Sequence, residues 1–286
     1  MATTVEMVER ARYSKNREDE LIARIWRACA WLESGDLALL DSEMPDLVAL
    51  ATDVRIPSHR FRVVTMQATL AILRGRYDEG MALAQEAHAL GAGIEKDNAD
   101  QSLAAQLVPW FRDQGMLAAA LPMVAPMIEP YGEVPGWQCA LAFILAETGD
   151  LDAARISLAH LRINDFASVP DDLAWLMAMS FVAEAAYLCD DAETAEIVGR
   201  LLTPFASHHA GLFDISTNGP IGFYLGLTAA TCGHADAIEV LQKAHRAHVA
   251  MAAPGLAARS AAALARLTTT PTDKGSEPVL CPETSL

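Results

Sequence analysis

Apolar positions along this chain recur at helical spacing in blocks, each cut off by a short polar turn before the next block begins. Leu21, Ile25, Ala28 and Leu32 fall on one face of a helix ending near Ser34 and Gly35, with Trp26 and Trp31 flanking the stripe. A partner helix covers 37–51, where Pro45 either sits in the first turns or splits it, and 53–57 forms a linker. A second hairpin pairs 59–73 with 77–90 around Gly75, and Asp78 and Glu79 complement the amide dipoles at the start of its second helix. The third pairs 100–112 with 116–128; Pro109, Pro122 and Pro126 predict short helices or bends there, because an interior proline costs about 3 kcal/mol. Three more hairpins pair 137–147 with 151–161, 172–188 with 192–206, and 220–232 with 235–251. A single alanine-rich helix over 256–267 caps the array, residues 1–20 either fray or cap the other end, and 268–286 reads as a disordered tail.

The turns are near copies of one another: Gly35-Asp-Leu-Ala, Gly75-Arg-Tyr-Asp-Glu-Gly, Gly115-Met-Leu-Ala-Ala-Ala, Gly149-Asp-Leu-Asp-Ala-Ala, Asp190-Asp-Ala-Glu-Thr-Ala and Gly233-His-Ala-Asp-Ala-Ile. Their anchors lie 40, 40, 34, 41 and 43 residues apart. Such a period belongs to helical repeats, whose units bury their apolar faces only by stacking on neighbours. The expected fold is therefore all-α: a right-handed αα superhelix of about six hairpins plus a capping helix, spanning 1–267 as one continuous domain. Composition supports close helix packing, since 52% of the 286 residues are hydrophobic but only 6% aromatic.

Charge narrows the partners. Acidic residues outnumber basic ones 37 to 21, for a net charge of −16, and only four lysines are present. Such a surface repels nucleic-acid phosphates, and the basic stretches 10–27 and 55–76 are interleaved with acids or apolar residues as on solvated helix faces. A cationic ligand or a basic protein surface suits the sign better. No secretory or membrane-spanning pattern is visible, so the expected location is cytoplasmic. Cys29, Cys139, Cys189, Cys232 and Cys281 are scattered and form no CxxC pair, which predicts free thiols.

The turn pattern, an aromatic residue or Leu two positions after the glycine and then Asp/Glu-Ala, resembles the tetratricopeptide family. The stretch Val134-Pro-Gly-Trp-Gln-Cys-Ala-Leu-Ala-Phe-Ile-Leu-Ala-Glu-Thr-Gly-Asp-Leu-Asp-Ala-Ala-Arg155, with Asn164-Asp-Phe and Asp171-Asp-Leu-Ala-Trp after it, is similar to the C-terminal repeat region of large bacterial regulators. Those regulators join a signalling ATPase module to a LuxR-type DNA-binding domain or an adenylate cyclase domain, and the likeness covers about 60–265. This sequence has no GxxxxGK[ST] phosphate loop, no cyclase domain and no convincing helix-turn-helix, so none of those activities carries over. What the resemblance implies is a sensory or interaction platform.

Candidate chemistry lies in the longer connections. The segment 203–220 holds Phe205, His208, His209, Phe213 and Asp214 within eighteen residues. The histidines and Asp214 offer a base or metal ligands, but adjacent side chains on a helix point apart and no further ligand is specified, so no metal is expected. As a surface connection facing a ligand, this segment predicts that His209→Ala or Asp214→Ala changes binding and leaves stability within about 1 kcal/mol. Tyr131 and Trp137 offer a pocket wall or a partner contact, with packing between hairpins as the plainer role. Asp171 or Asp172 reads as a helix cap; Asp172 alternatively forms an acid pair with Glu184, or a ligand stripe with Trp175, Met179 and Tyr187. Ser157, Ser180 and Ser207 lack the GxSxG elbow, and HExxH is absent. Two functions stay open: a binding or regulatory protein taking a protein segment or small molecule in its concave groove without a cofactor, or a small-molecule cyclase or isomerase using His208, His209, Asp214, Asp172 or Tyr131 as proton carriers. A second copy of the chain is a further possible partner.

Overall fold

A computed structural model describes residues 2–119, 121 and 134–269. Within it the chain is an all-α repeat array, with helices α1 (Ala2–Ser14), α2 (Arg17–Ser34), α3 (Leu37–Val54), α4 (Pro57–Leu73), α5 (Tyr77–Ala92), α6 (Lys96–Asp113), α7 (Pro135–Glu147), α8 (Leu151–Leu161), α9 (Trp175–Cys189), α10 (Ala192–Leu202), α11 (Ile221–Thr231), α12 (Ala237–Ala250) and α13 (Pro254–Thr269). Neighbouring helices pack on one another, α4 on α5 most extensively, and α7 packs next most extensively on α9, the second helix along. The expected helix to 128, Pro122, Pro126, Tyr131 and the tail 270–286 lie outside the described residues.

All six turn anchors do the same physical job. Gly35, Gly75, Gly115, Gly149, Asp190 and Gly233 each take positive φ, between 52° and 94°. The following residue then donates its N–H to a carbonyl five positions back, at 2.9 Å in every case, from Asp36 to Trp31 through His234 to Ala229. This is the Schellman closure, which satisfies helix-end carbonyls and needs a left-handed residue; glycine adopts it freely and aspartate tolerates it. The recurring sequence is thus a recurring helix stop.

Several boundaries depart from the sequence reading. Helices α3 and α6 run unbroken through Pro45 and Pro109, so packing outweighs the proline penalty. Only Arg55 and Ile56 separate α3 from α4, and α9 starts at Trp175 because turns occupy the approach to it. Helix α1 caps the array, packing Val8 and Ala11 against Ala23.

Two features close the structure. Ala253, just before α13, and Leu256, in its first turn, join the apolar cluster formed by Leu21, Leu40, Leu47 and Met66 near the other end, so the array folds back on itself. The connection after α10 is the second. It forms an antiparallel hairpin, β1 (His209–Leu212) and β2 (Ser216–Pro220), pairing His209 with Pro220 and Leu212 with Ser216 around an irregularity near Ala210. Strand β1 touches α2 and α9; β2 touches α4, α6, α9, α11 and α12. The expected surface connection is therefore an internal plug of the ring. Several of its polar groups find partners there: Thr69 Oγ1 donates to the Ile215 carbonyl at 2.6 Å, the Asn218 amide donates to Ser180 Oγ at 2.9 Å, and Tyr224 OH donates to the Asn218 carbonyl at 2.7 Å, whereas Asn218 Oδ1 and the Nδ1 atoms of His208 and His209 are buried without one.

Candidate binding cavity

Between α2, β1 and the start of α9 lies a cavity of about 310 Å³. The Schellman turn at Gly35 and the hairpin set its floor. His209, 7% exposed, packs against Gly35 so closely that a Cβ there would stand 2.5 Å from its Nε2. Cys29, on α2, lines the same cavity. The walls are aromatic. Trp26 and Phe213 meet edge to face at 4.7 Å, and Trp175 tilts against Phe205 at 5.4 Å. Phe213 holds φ at 55°, a left-handed backbone rarely used by aromatic residues and costing about 1 kcal/mol or more, and the fold retains it at the tip of the hairpin. At the rim stand Glu33, Asp171 and Asp172.

Electrostatics follow from burial. Removal from water holds the His209 imidazole at about 4, against the opposing pull of Asp36, so the ring is neutral at pH 7. Burial, reinforced by Asp214, pushes the Cys29 thiol up to about 12 and leaves it unreactive as a nucleophile. Behind the aromatic wall, the Arg62 guanidinium sits 5.1 Å from the Phe213 ring centre, and Asp214 neutralises it through contacts of 3.0 and 3.4 Å. Asp172 accepts the Ala174 N–H at 2.8 Å in the turn before α9, whose N-cap position is Ala174 with no side-chain cap, so the expected helix cap at Asp171 or Asp172 is not formed and the other Asp172 oxygen is left over.

Five of the residues singled out in the sequence, Asp172, Trp175, Phe205, His209 and Phe213, line this one cavity. Asp214 does not: it is buried at 4% exposure as the partner of Arg62, so its expected free carboxylate is a structural clamp. His208 lies against Phe205, ring centres 5.9 Å apart, outside the lining. Trp137 lines a separate apolar cavity of about 190 Å³ on the Leu212 and Ile215 side of the hairpin. The proposed Asp172–Glu184 acid pair is not formed. Glu184 lines a third cavity with Glu147 and Tyr187, where Arg259 clasps it, Nε donating to Oε1 at 3.0 Å. Met179 is fully buried, so the stripe from Asp172 to Tyr187 serves three surroundings. Trp26 and Glu33 escaped the sequence reading as site residues; the one available signal was a tryptophan flanking an apolar stripe, and it is 40% exposed.

Among the described residues no three His, Cys, Asp or Glu side chains gather as a metal site, and no helix is long and apolar enough to cross a membrane. Cys29, Cys139, Cys189 and Cys232 are free thiols. Comparison of the chain with protein-family models, with curated proteins and with solved structures finds no match. The likeness to regulator repeats rests on the segments quoted above.

Proposed function

We propose that this is a cytoplasmic binding or regulatory protein whose ligand, a small molecule or the side chain of a protein segment, enters the cavity between α2, β1 and α9. One observation carries the reading: residues remote in sequence, Trp26, Trp175, Phe205 and Phe213, supply aromatic surface to a single space of about 310 Å³. Protein sites for small molecules are mostly apolar hollows of this scale with a few convergent polar groups. Because the hairpin occupies the ring's interior, a protein partner engages by inserting one side chain, not by lying along an open groove.

A cyclase or isomerase remains the second reading, favoured by the meeting of His209 and Asp172 on the cavity. A histidine held near 4 is a weak base at neutral pH, and this weighs towards binding. Native mass spectrometry of the protein isolated from cell extract tests the proposal. A retained species lost on Trp175→Ala is the expected result; retention unaffected by both Trp175→Ala and Trp26→Ala overturns it.

A further inference from the structure

We propose that the cavity between α2, β1 and α9 selects an organic cation, an amine or quaternary ammonium carried on an apolar body; this rests on the binding reading above. Three independent features point the same way.

The walls come first. Aromatic faces carry negative potential and hold cations lodged against them, and here Trp26, Trp175, Phe205 and Phe213 surround one space. The Trp26–Phe213 pair already has a cation, Arg62, on one side, 6.0 Å and 5.1 Å from the two ring centres. That guanidinium is matched by Asp214, so it does not repel a second positive charge.

Charge is the second feature. Glu33, Asp171 and Asp172 stand at the mouth, while none of the described lining residues is Lys or Arg. Glu33 and Asp171 meet no ion-pair or hydrogen-bond partner among the described residues, and Asp172 spends one oxygen on Ala174. An anion meets three like charges there, and a neutral molecule gains at most a hydrogen bond, without the charge–charge attraction open to a cation.

The floor is third. His209 is more than nine-tenths buried, lines the cavity, and its Nδ1 has no hydrogen-bond partner in the protein. Burial keeps that imidazole uncharged at neutral pH, so the floor sets no positive charge against a bound cation.

Phenethylamine, 2-phenylethanol and phenylacetate share one ring and chain and differ in charge, so they isolate the claim. Binding is read by quenching of tryptophan fluorescence and by calorimetry at two salt concentrations. The amine should bind tenfold or more tightly than the alcohol, with phenylacetate weakest, and added salt should shrink the difference. In the double variant Glu33→Gln with Asp172→Asn, the preference should collapse while 2-phenylethanol binding persists. Equal affinity for amine and alcohol, or a preference untouched by the double variant, overturns the cation inference and leaves the cavity reading intact. Binding of none of the three also overturns it, and the cavity reading then stands or falls on the Trp175-sensitive retained species. Trp175→Leu should weaken the amine more than the alcohol, because the lost ring face holds the charge as well as the apolar body.

Discussion

Asp214→Ala removes the clamp that ties the hairpin plug to α4. The Asp214 side chain is 6% exposed and contacts Arg62, itself 25% exposed, at 3.0 Å. Breaking a buried pair from one side costs about 3–5 kcal/mol, because the surviving charge is left without a partner. Arg62 retains some access to water, which lowers the expected loss to about 2–3 kcal/mol. For a chain of this size that is a fall in melting temperature of roughly 5–10 °C. Glu86→Ala is the control: its partner Arg60 and Glu86 itself are 53% and 46% exposed, so the loss there should stay below about 1 kcal/mol. Thermal and urea melts followed by circular dichroism and by tryptophan fluorescence measure both variants. An Asp214→Ala melt indistinguishable from that of Glu86→Ala refutes the plug, and restores a surface role for the connection.

Two further outcomes follow from the geometry. Gly75 and Gly233 share a φ of 72°, but a Cβ at Gly75 would stand 2.6 Å from Pro254 Cγ while one at Gly233 meets nothing within 4 Å; Gly233→Ala should cost only the left-handed strain of about 1–2 kcal/mol, and Gly75→Ala more, as urea melts would show. Equal losses contradict the closure of α13 onto α4. Burial holds the His209 and His248 rings at about 4 and about 3, below their ordinary 6.5, so above pH 6.5 neither affects stability. As pH falls from 6.5 towards 4 the unfolded chain takes up protons that the fold refuses, and each histidine removes up to about 1.4 kcal/mol per pH unit, partly offset by Glu147, whose carboxyl burial pushes up. Urea midpoints at pH 7.5 and pH 5.0 that coincide would contradict this.

The helices and their stops were legible because both are local. A left-handed residue closing a Schellman turn leaves the same trace, Gly or Asp before an Asp/Ala-rich start, wherever it occurs. The hairpin left no such trace. Ser216, Thr217 and Asn218 are all buried, without the alternation that marks a strand, and the groups that satisfy this segment, Thr69, Ser180 and Tyr224, come from three other parts of the chain. The candidate cavity was half visible. Its residues at 172–175 and 205–213 stood out as acids and aromatics in long connections, but Trp26 and Glu33 reach them only because the array closes around the plug. Asp214 looked like chemistry for the same local reason and proved to be a clamp, since its partner Arg62 lies 152 residues away.

A crystal structure of the protein with phenethylamine bound tests the cation site most directly. Density is expected between Trp175 and Phe213, with the amine nitrogen within about 3.2 Å of Glu33, Asp171 or Asp172. Ligand density beside Trp137 on the far side of the hairpin, with only solvent between Trp26 and Trp175 at saturating concentration, would contradict it.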